Sequence, residues 1–129
     1  EGSSICLDTG TTAYAIAEQL KEHQNITVST QSLSIMQLLA SSSVQLISIP
    51  GIYHKVSDAF LGQISYTFIK DYQYDILFLT AKGIDAEFGI SVPDVLEAEN
   101  KKALIESAKK VIALIKENLD NVFFPKWLL

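Results

Sequence analysis

Apolar and polar positions alternate along this chain with two different periods. Ile5-Cys6-Leu7 is a short apolar run, and Ala13, Ile16, Ala17 and Leu20 then fall at i, i+3, i+4 and i+7, the spacing of one buried helix face. A second run, Ile26 to Val28, leads through Ser29-Thr30-Gln31-Ser32 into a helical period carried by Ile35, Leu38 and Leu39. A third run, Val44 to Ile49, stops at Pro50-Gly51. Beyond a polar stretch, Leu61, Ile64 and Phe68 mark a further helix, and Ile76 to Leu79 reads as a buried strand. A helix over about Asp94 to Lys110 follows, with its acid at the start and lysines at the end as the helix dipole favours, and Val111 to Ile115 reads as another strand. Short strands separated by helical periods predict an α/β domain with a mostly parallel sheet and helices on both faces. No linker, repeat or low-complexity tract divides residues 1–129, so one domain is expected.

Composition agrees. With 48% hydrophobic and 19% charged residues, 129 residues can bury a core without disulfides or metal. A single cysteine, Cys6, rules out an internal disulfide and suits a reducing cytoplasm. No apolar run approaches the roughly 20 residues of a membrane span, and no signal peptide opens the chain. Residue 1 is not methionine and Glu1 to Ser4 run straight into a strand, so the chain reads as part of a longer protein.

Charge narrows the function. The net charge is −5, and all ten basic residues are lysine. The one lysine cluster, Lys101, Lys102, Lys109 and Lys110, is diluted by Glu97, Glu99 and Glu106. Nucleic-acid surfaces need a basic stripe, usually with arginine, so this segment is not expected to touch DNA by itself.

The candidate chemistry lies at strand ends. Asp8-Thr9-Gly10-Thr11-Thr12 joins a strand to a helix start, where hydroxyls and free backbone N–H groups favour an anion such as phosphate. A plainer reading makes Thr11 or Thr12 an ordinary helix cap. Thr30-Gln31-Ser32 repeats the arrangement after the second strand, Gly51 follows the third, and Lys82-Gly83 follows the fourth. Ligands of open parallel sheets bind at the carboxyl ends of strands, and these loops together form a plausible cradle for a polyol phosphate. On a helical wheel, Ala98, Leu104, Ile105 and Ala108 define an apolar face with Lys101 near its centre. A lysine there must snorkel, shift its pKa or meet an anion.

Other residues offer less. His23 and His54 have no partner at a metal-ligand spacing, and no metal or cofactor is expected. Cys6 reads as a buried structural residue, and Asp85 and Glu87 as solvated turn carboxylates. The apolar tail Phe123-Phe124-Pro125-Lys126-Trp127 is expected either to dock on the core or to cover a subunit interface. No nucleophile-elbow, P-loop or dinucleotide-binding motif is present.

Together these residues resemble the C-terminal domain of DeoR-family repressors. Leu7-Asp8-Thr9-Gly10-Thr11-Thr12 matches that family's aspartate, small residue and Gly-Thr-Thr after the first strand. Thr30-Gln31-Ser32 stands for its Thr-Asn-Ser, Pro50-Gly51 for its Gly-Gly, and Phe78-Leu79-Thr80-Ala81-Lys82-Gly83-Ile84 for its Phe-Leu-Gly-Ala-Asp-Gly-Ile. The family's late-helix lysine falls on Lys101. The resemblance runs from about Ser4 to Ile115. It implies a fold similar to ribose-5-phosphate isomerases and CoA transferases, used as a non-enzymatic sensor of a phosphorylated sugar. It also implies operator binding through an N-terminal winged helix-turn-helix that lies outside this sequence, and a homo-oligomer. Asp8, Gln31 and Ser32 are then expected to hold sugar hydroxyls, with the phosphate near Gly10-Thr11-Thr12 or Lys101. Two departures stand out: Thr80 and Lys82 replace a Gly and an Asp, and Lys116 to Leu119 replace part of an Ala-Asp-Ser-Ser-Lys segment. The shared fold leaves a sugar-phosphate isomerase as an alternative, against which Lys82 in the fourth-strand loop argues, and the altered Lys116 to Leu119 segment leaves a domain retained only for assembly.

Overall fold

The computed structural model describes residues 2–81, 84–85, 89–90 and 95–115. Its centre is a five-stranded parallel sheet in the order β3-β2-β1-β6-β9, where β1 is Ser3–Leu7, β2 is Ile26–Thr30, β3 is Gln45–Ser48, β6 is Tyr74–Ala81 and β9 is Ala108–Ile115. Helices α1 (Thr11–Leu20) and α2 (Leu33–Leu39) cover one face, and α3 (Gln63–Lys70) and α4 (Val95–Ser107) cover the other. The predicted α/β class, with helices on both faces, is what the chain adopts. Strand alternation explains the two cores. Ile5, Leu7, Val28 and Phe78 meet Ile16, Ala17 and Ile35 on the first face. Cys6, Leu77 and Leu79 meet Ile69 and Leu104 on the second.

Strand order reverses direction between β1 and β6, because β1 is followed by β2 and β3 on one side and by β6 and β9 on the other. The boundary between β1 and β6 is thus a switch point, where open α/β sheets form their ligand crevice.

Three expectations about elements are corrected. Leu61 does not open a helix: it ends β5 (Ala59–Leu61), which pairs antiparallel with β4 (Ile52–His54) in a hairpin. Helix α3 starts after Gly62 and buries Ser65 and Ile69, leaving Ile64 61% exposed. The hairpin was hidden because its strands have three residues each, too few to show a period of two. Finally, α4 stops at Ser107, so Lys109 and Lys110 are not at a helix end. They lie in β9, where they point to solvent while the backbone pairs with β6 from Tyr74↔Ala108 to Ala81↔Ile115. Seven paired positions along β6 outweigh the helix propensity of Ala-Lys-Lys. Asp85 and Gly89 face each other across a short antiparallel pair, β7 (Ile84–Asp85) with β8 (Gly89–Ile90). Glu87, Lys116 to Leu119 and the tail from Phe123 to Trp127 lie outside the described residues.

Candidate functional site

The site is built on the shared edge where parallel strands end. Asp8 continues β1, its N–H donating to the Phe78 carbonyl at 3.0 Å, and its side chain is buried. Asp8 Oδ2 accepts from the Thr80 N–H at 2.9 Å and from the Lys101 ammonium. The Thr80 hydroxyl lies within reach of both Asp8 Oδ2, at 3.0 Å, and the Thr9 carbonyl. Lys101 also donates to the Thr80 carbonyl at 2.9 Å. The sequence placed Lys101 at the centre of an apolar face, and that face is corrected. Ala98 is exposed, Ile105 is 37% exposed and Ala108 belongs to β9. The buried positions of α4 are Asn100, Ala103 and Leu104, at helical spacing. Lys101 lies at their margin, and the anion it meets is this chain's own Asp8.

Gly10 ends the next loop and is the N-cap of α1, with φ 103. That left-handed backbone is the reason for glycine, since a Cβ there would meet only the Thr80 hydroxyl at an ordinary 3.7 Å. The plainer reading of Thr11 or Thr12 as a cap does not hold, because no side chain caps α1. Its first internal bond runs from Tyr14 N–H to the Gly10 carbonyl. The N–H groups of Thr11, Thr12 and Ala13 thus have no partner within the helix. Thr11 is exposed and Thr12 is buried beneath it.

After β2 the chain does different work. Thr30 is fully buried and its hydroxyl accepts from the Ser32 N–H at 3.1 Å. Gln31 Nε2 donates to the Phe60 carbonyl and to Asn100 Oδ1, both at 2.8 Å. Ser32 caps α2, accepting from the Ile35 N–H at 3.2 Å, and donates to Asp58 Oδ2 at 2.6 Å. Gly51 serves the hairpin: a Cβ there would lie 2.7 Å from the Leu61 carbonyl oxygen and 2.8 Å from its nitrogen.

Among the described residues, two cavities lie at these loops. One, of about 720 Å³, is bordered by Gly10, Thr11 and Tyr14 of α1, by Ser32, Ser34, Gln37 and Leu38 of α2, and by Val56, Ser57 and Asp58 of the hairpin turn. The other, about 10 Å³ and no larger than a water, is bordered by Asp8, Thr9, Gln31, Asn100 and Lys101 with Ala59, Leu61 and Glu97. Of the predicted site residues, the larger cavity thus gathers Gly10, Thr11 and Ser32, and the smaller Asp8, Thr9, Gln31 and Lys101. Thr12, Thr30 and Gly51 border neither among the described residues, and Lys82 and Gly83 lie outside them.

Asp58 and Asn100 escaped the sequence reading. Asp58 ends the short turn Lys55 to Asp58, which shows no period, and Asn100 is one polar residue among several in α4. Burial would raise the Asp58 pKa, but hydrogen bonds from Ser32, Tyr53 and Ser34 prevail and hold it below its usual value. Tyr53 donates to Asp58 Oδ1 at 2.8 Å, and that bond, with burial and the carboxylate's charge, raises the Tyr53 pKa. Burial, and then the charge of Asp8, push the Cys6 thiol up, so it is an inert core residue. Among the described residues no cluster of three or more His, Cys, Asp or Glu is arranged to hold a metal ion. No described helix is long and apolar enough to cross a membrane.

Comparison with known proteins gives a consistent result. The family model described as the DeoR C-terminal sensor domain matches residues 1–118. The transcriptional repressor AccR of Agrobacterium fabrum is 31% identical over 116 residues, 88% of this chain and 45% of that protein. The HTH-type transcriptional regulator IolR of Bacillus subtilis is 31% identical over 85% of this chain and 44% of its own length. The glycerol-3-phosphate regulon repressor of Escherichia coli is 27% identical over 88% and 46%. The chain spans under half the length of these relatives.

Proposed function

This chain belongs to the DeoR C-terminal sensor-domain family, and on that premise we propose that it senses a phosphorylated sugar and controls a DNA-binding domain elsewhere in the same protein. The observation that carries the reading is the cavity of about 720 Å³ opening onto the uncapped start of α1. A helix N-terminus with free N–H groups favours phosphate, and Ser32, Ser34 and Gln37 supply hydroxyl and amide partners for a sugar in the same cavity. Asp8 and Lys101 neutralise each other beside it, which favours α1 rather than Lys101 as the phosphate end.

The same pair speaks against an isomerase. A catalytic carboxylate must be free to take a proton from substrate carbon, whereas Asp8 already accepts from Thr80 and Lys101. Repression of a sugar operon, operator binding through an N-terminal winged helix-turn-helix, and assembly into a homo-oligomer belong to the same proposal; AccR and the glycerol-3-phosphate regulon repressor are themselves named as repressors. Effector binding regulates DNA affinity only where it prefers one arrangement of the assembly.

A thermal-shift screen tests the reading, with each sugar phosphate paired against its unphosphorylated parent. A ligand at about 100 times its Kd stabilises the fold by about 2.7 kcal/mol, a rise of several degrees for a domain of this size. The expected result is a rise with a phosphorylated sugar and none with its parent. A panel that leaves the melting temperature unchanged throughout would sink the sugar-phosphate reading and favour a domain kept for assembly.

A further inference from the structure

The hairpin turn brings to the larger cavity a carboxylate that the strand-end loops do not account for. Asp58 has left-handed backbone, φ 51, a conformation that aspartate tolerates better than most residues. Its side chain is clasped at both oxygens, by Tyr53 at Oδ1 and by Ser32 at Oδ2. Ser34 donates to the same carboxylate, so its roughly four acceptor positions are met within the protein and its direction is fixed. The same donors keep it ionised at neutral pH. Among the described residues lining this cavity, Asp58 is the only charged one, and no lysine offsets it.

We propose that Asp58 is a specificity-determining residue of the effector cavity, its fixed negative charge admitting a monophosphorylated polyol and rejecting ligands that carry a second anionic group. The assignment rests on the sugar-phosphate reading above and narrows it. A fixed carboxylate has no hydrogen to donate to a phosphate or carboxylate, and its charge repels both. A second anion about 5 Å from this carboxylate, at an effective dielectric near 20, is disfavoured on the order of a hundredfold, and less where solvent screens it.

The experiment measures Kd by calorimetry for three pairs: fructose 6-phosphate with fructose 1,6-bisphosphate, ribose 5-phosphate with ribose 1,5-bisphosphate, and glycerol 3-phosphate with 3-phosphoglycerate. In the wild type, any monophosphate that binds is expected to bind at least about tenfold tighter than its doubly anionic partner. Asp58→Asn is expected to bring the ratio to within about threefold, with Asp58→Ser as a second variant. Tyr53→Phe removes part of the clasp but keeps the charge, and should preserve the ratio. Because each readout is a ratio on one sample, partial unfolding does not imitate it. A wild-type ratio near one, or a ratio unchanged by Asp58→Asn or Asp58→Ser, overturns the assignment while leaving the sugar-phosphate reading in place. No binding by any member of the panel sinks both.

Discussion

Asp8 and Lys101 are 93 residues apart, and each removes a problem the other would create. The Asp8 side chain is 4% exposed and that of Lys101 12%, so either charge left alone would be nearly buried without a counter-ion. Removing one member of such a pair is far more costly than replacing both. Lys101→Met is therefore expected to destabilise the fold by about 3 kcal/mol. Adding Asp8→Asn in that background should recover most of the loss, because the remaining amide carries no charge. Urea denaturation of both variants checks this, and equal loss in the two would mean that burial does not burden the Asp8 charge. Only half of this pair was legible beforehand. An anion was one of three outcomes expected of Lys101, from an apolar face that the fold does not keep, and nothing local to Asp8 said that it would be the anion.

At the scale of elements, the β4–β5 hairpin contributes most to the site and was least visible. It supplies Asp58 and Val56 to the larger cavity, and its Phe60 carbonyl holds Gln31. The entry to the hairpin depends on Gly51, whose missing Cβ admits the Leu61 backbone and the Ser65 hydroxyl, itself bonded to the Pro50 carbonyl. Gly51→Ala forces rigid backbone apart and is expected to destabilise by about 2 kcal/mol or more. Gly10→Ala has room for the methyl and suffers only its backbone conformation, about 1 kcal/mol. Thermal melts of the two variants should rank them in that order, and the reverse ranking would show that the hairpin base yields. The late helix and last strand teach a related lesson. Ala108-Lys109-Lys110 favours a helix locally, yet pairs with β6 because that strand offers an open edge.

For the whole molecule, charge sets the division of labour. A chain with net charge −5 and no arginine repels the phosphate backbone on which nonspecific DNA affinity depends. We expect the isolated 129-residue chain to show no salt-dependent binding to duplex DNA at low ionic strength, measured by fluorescence anisotropy at micromolar protein. Binding that fell steeply with added salt would place DNA contacts within this chain. Relatives of the sensor family about twice as long as this chain leave room for the DNA-binding part proposed above.

The amino-acid sequence alone determined the class of fold and pointed to the strand-end loops as a candidate site. Hydrophobic periods are local consequences of burial on one face, so the main strands and the first two helices could be read from them. Strand-end loops rich in glycine and small hydroxyls likewise declared themselves, because their conformation is set by neighbouring residues. Partnership was decided only by the tertiary structure. The pairing of Asp8 with Lys101, of Gln31 with Asn100 and of Ser32 with Asp58 joins residues 93, 69 and 26 positions apart. No local signal encodes which buried polar group meets which. Each group must find a partner within the fold that the apolar pattern has already imposed, and that choice exists only once the sheet has brought the strand ends together.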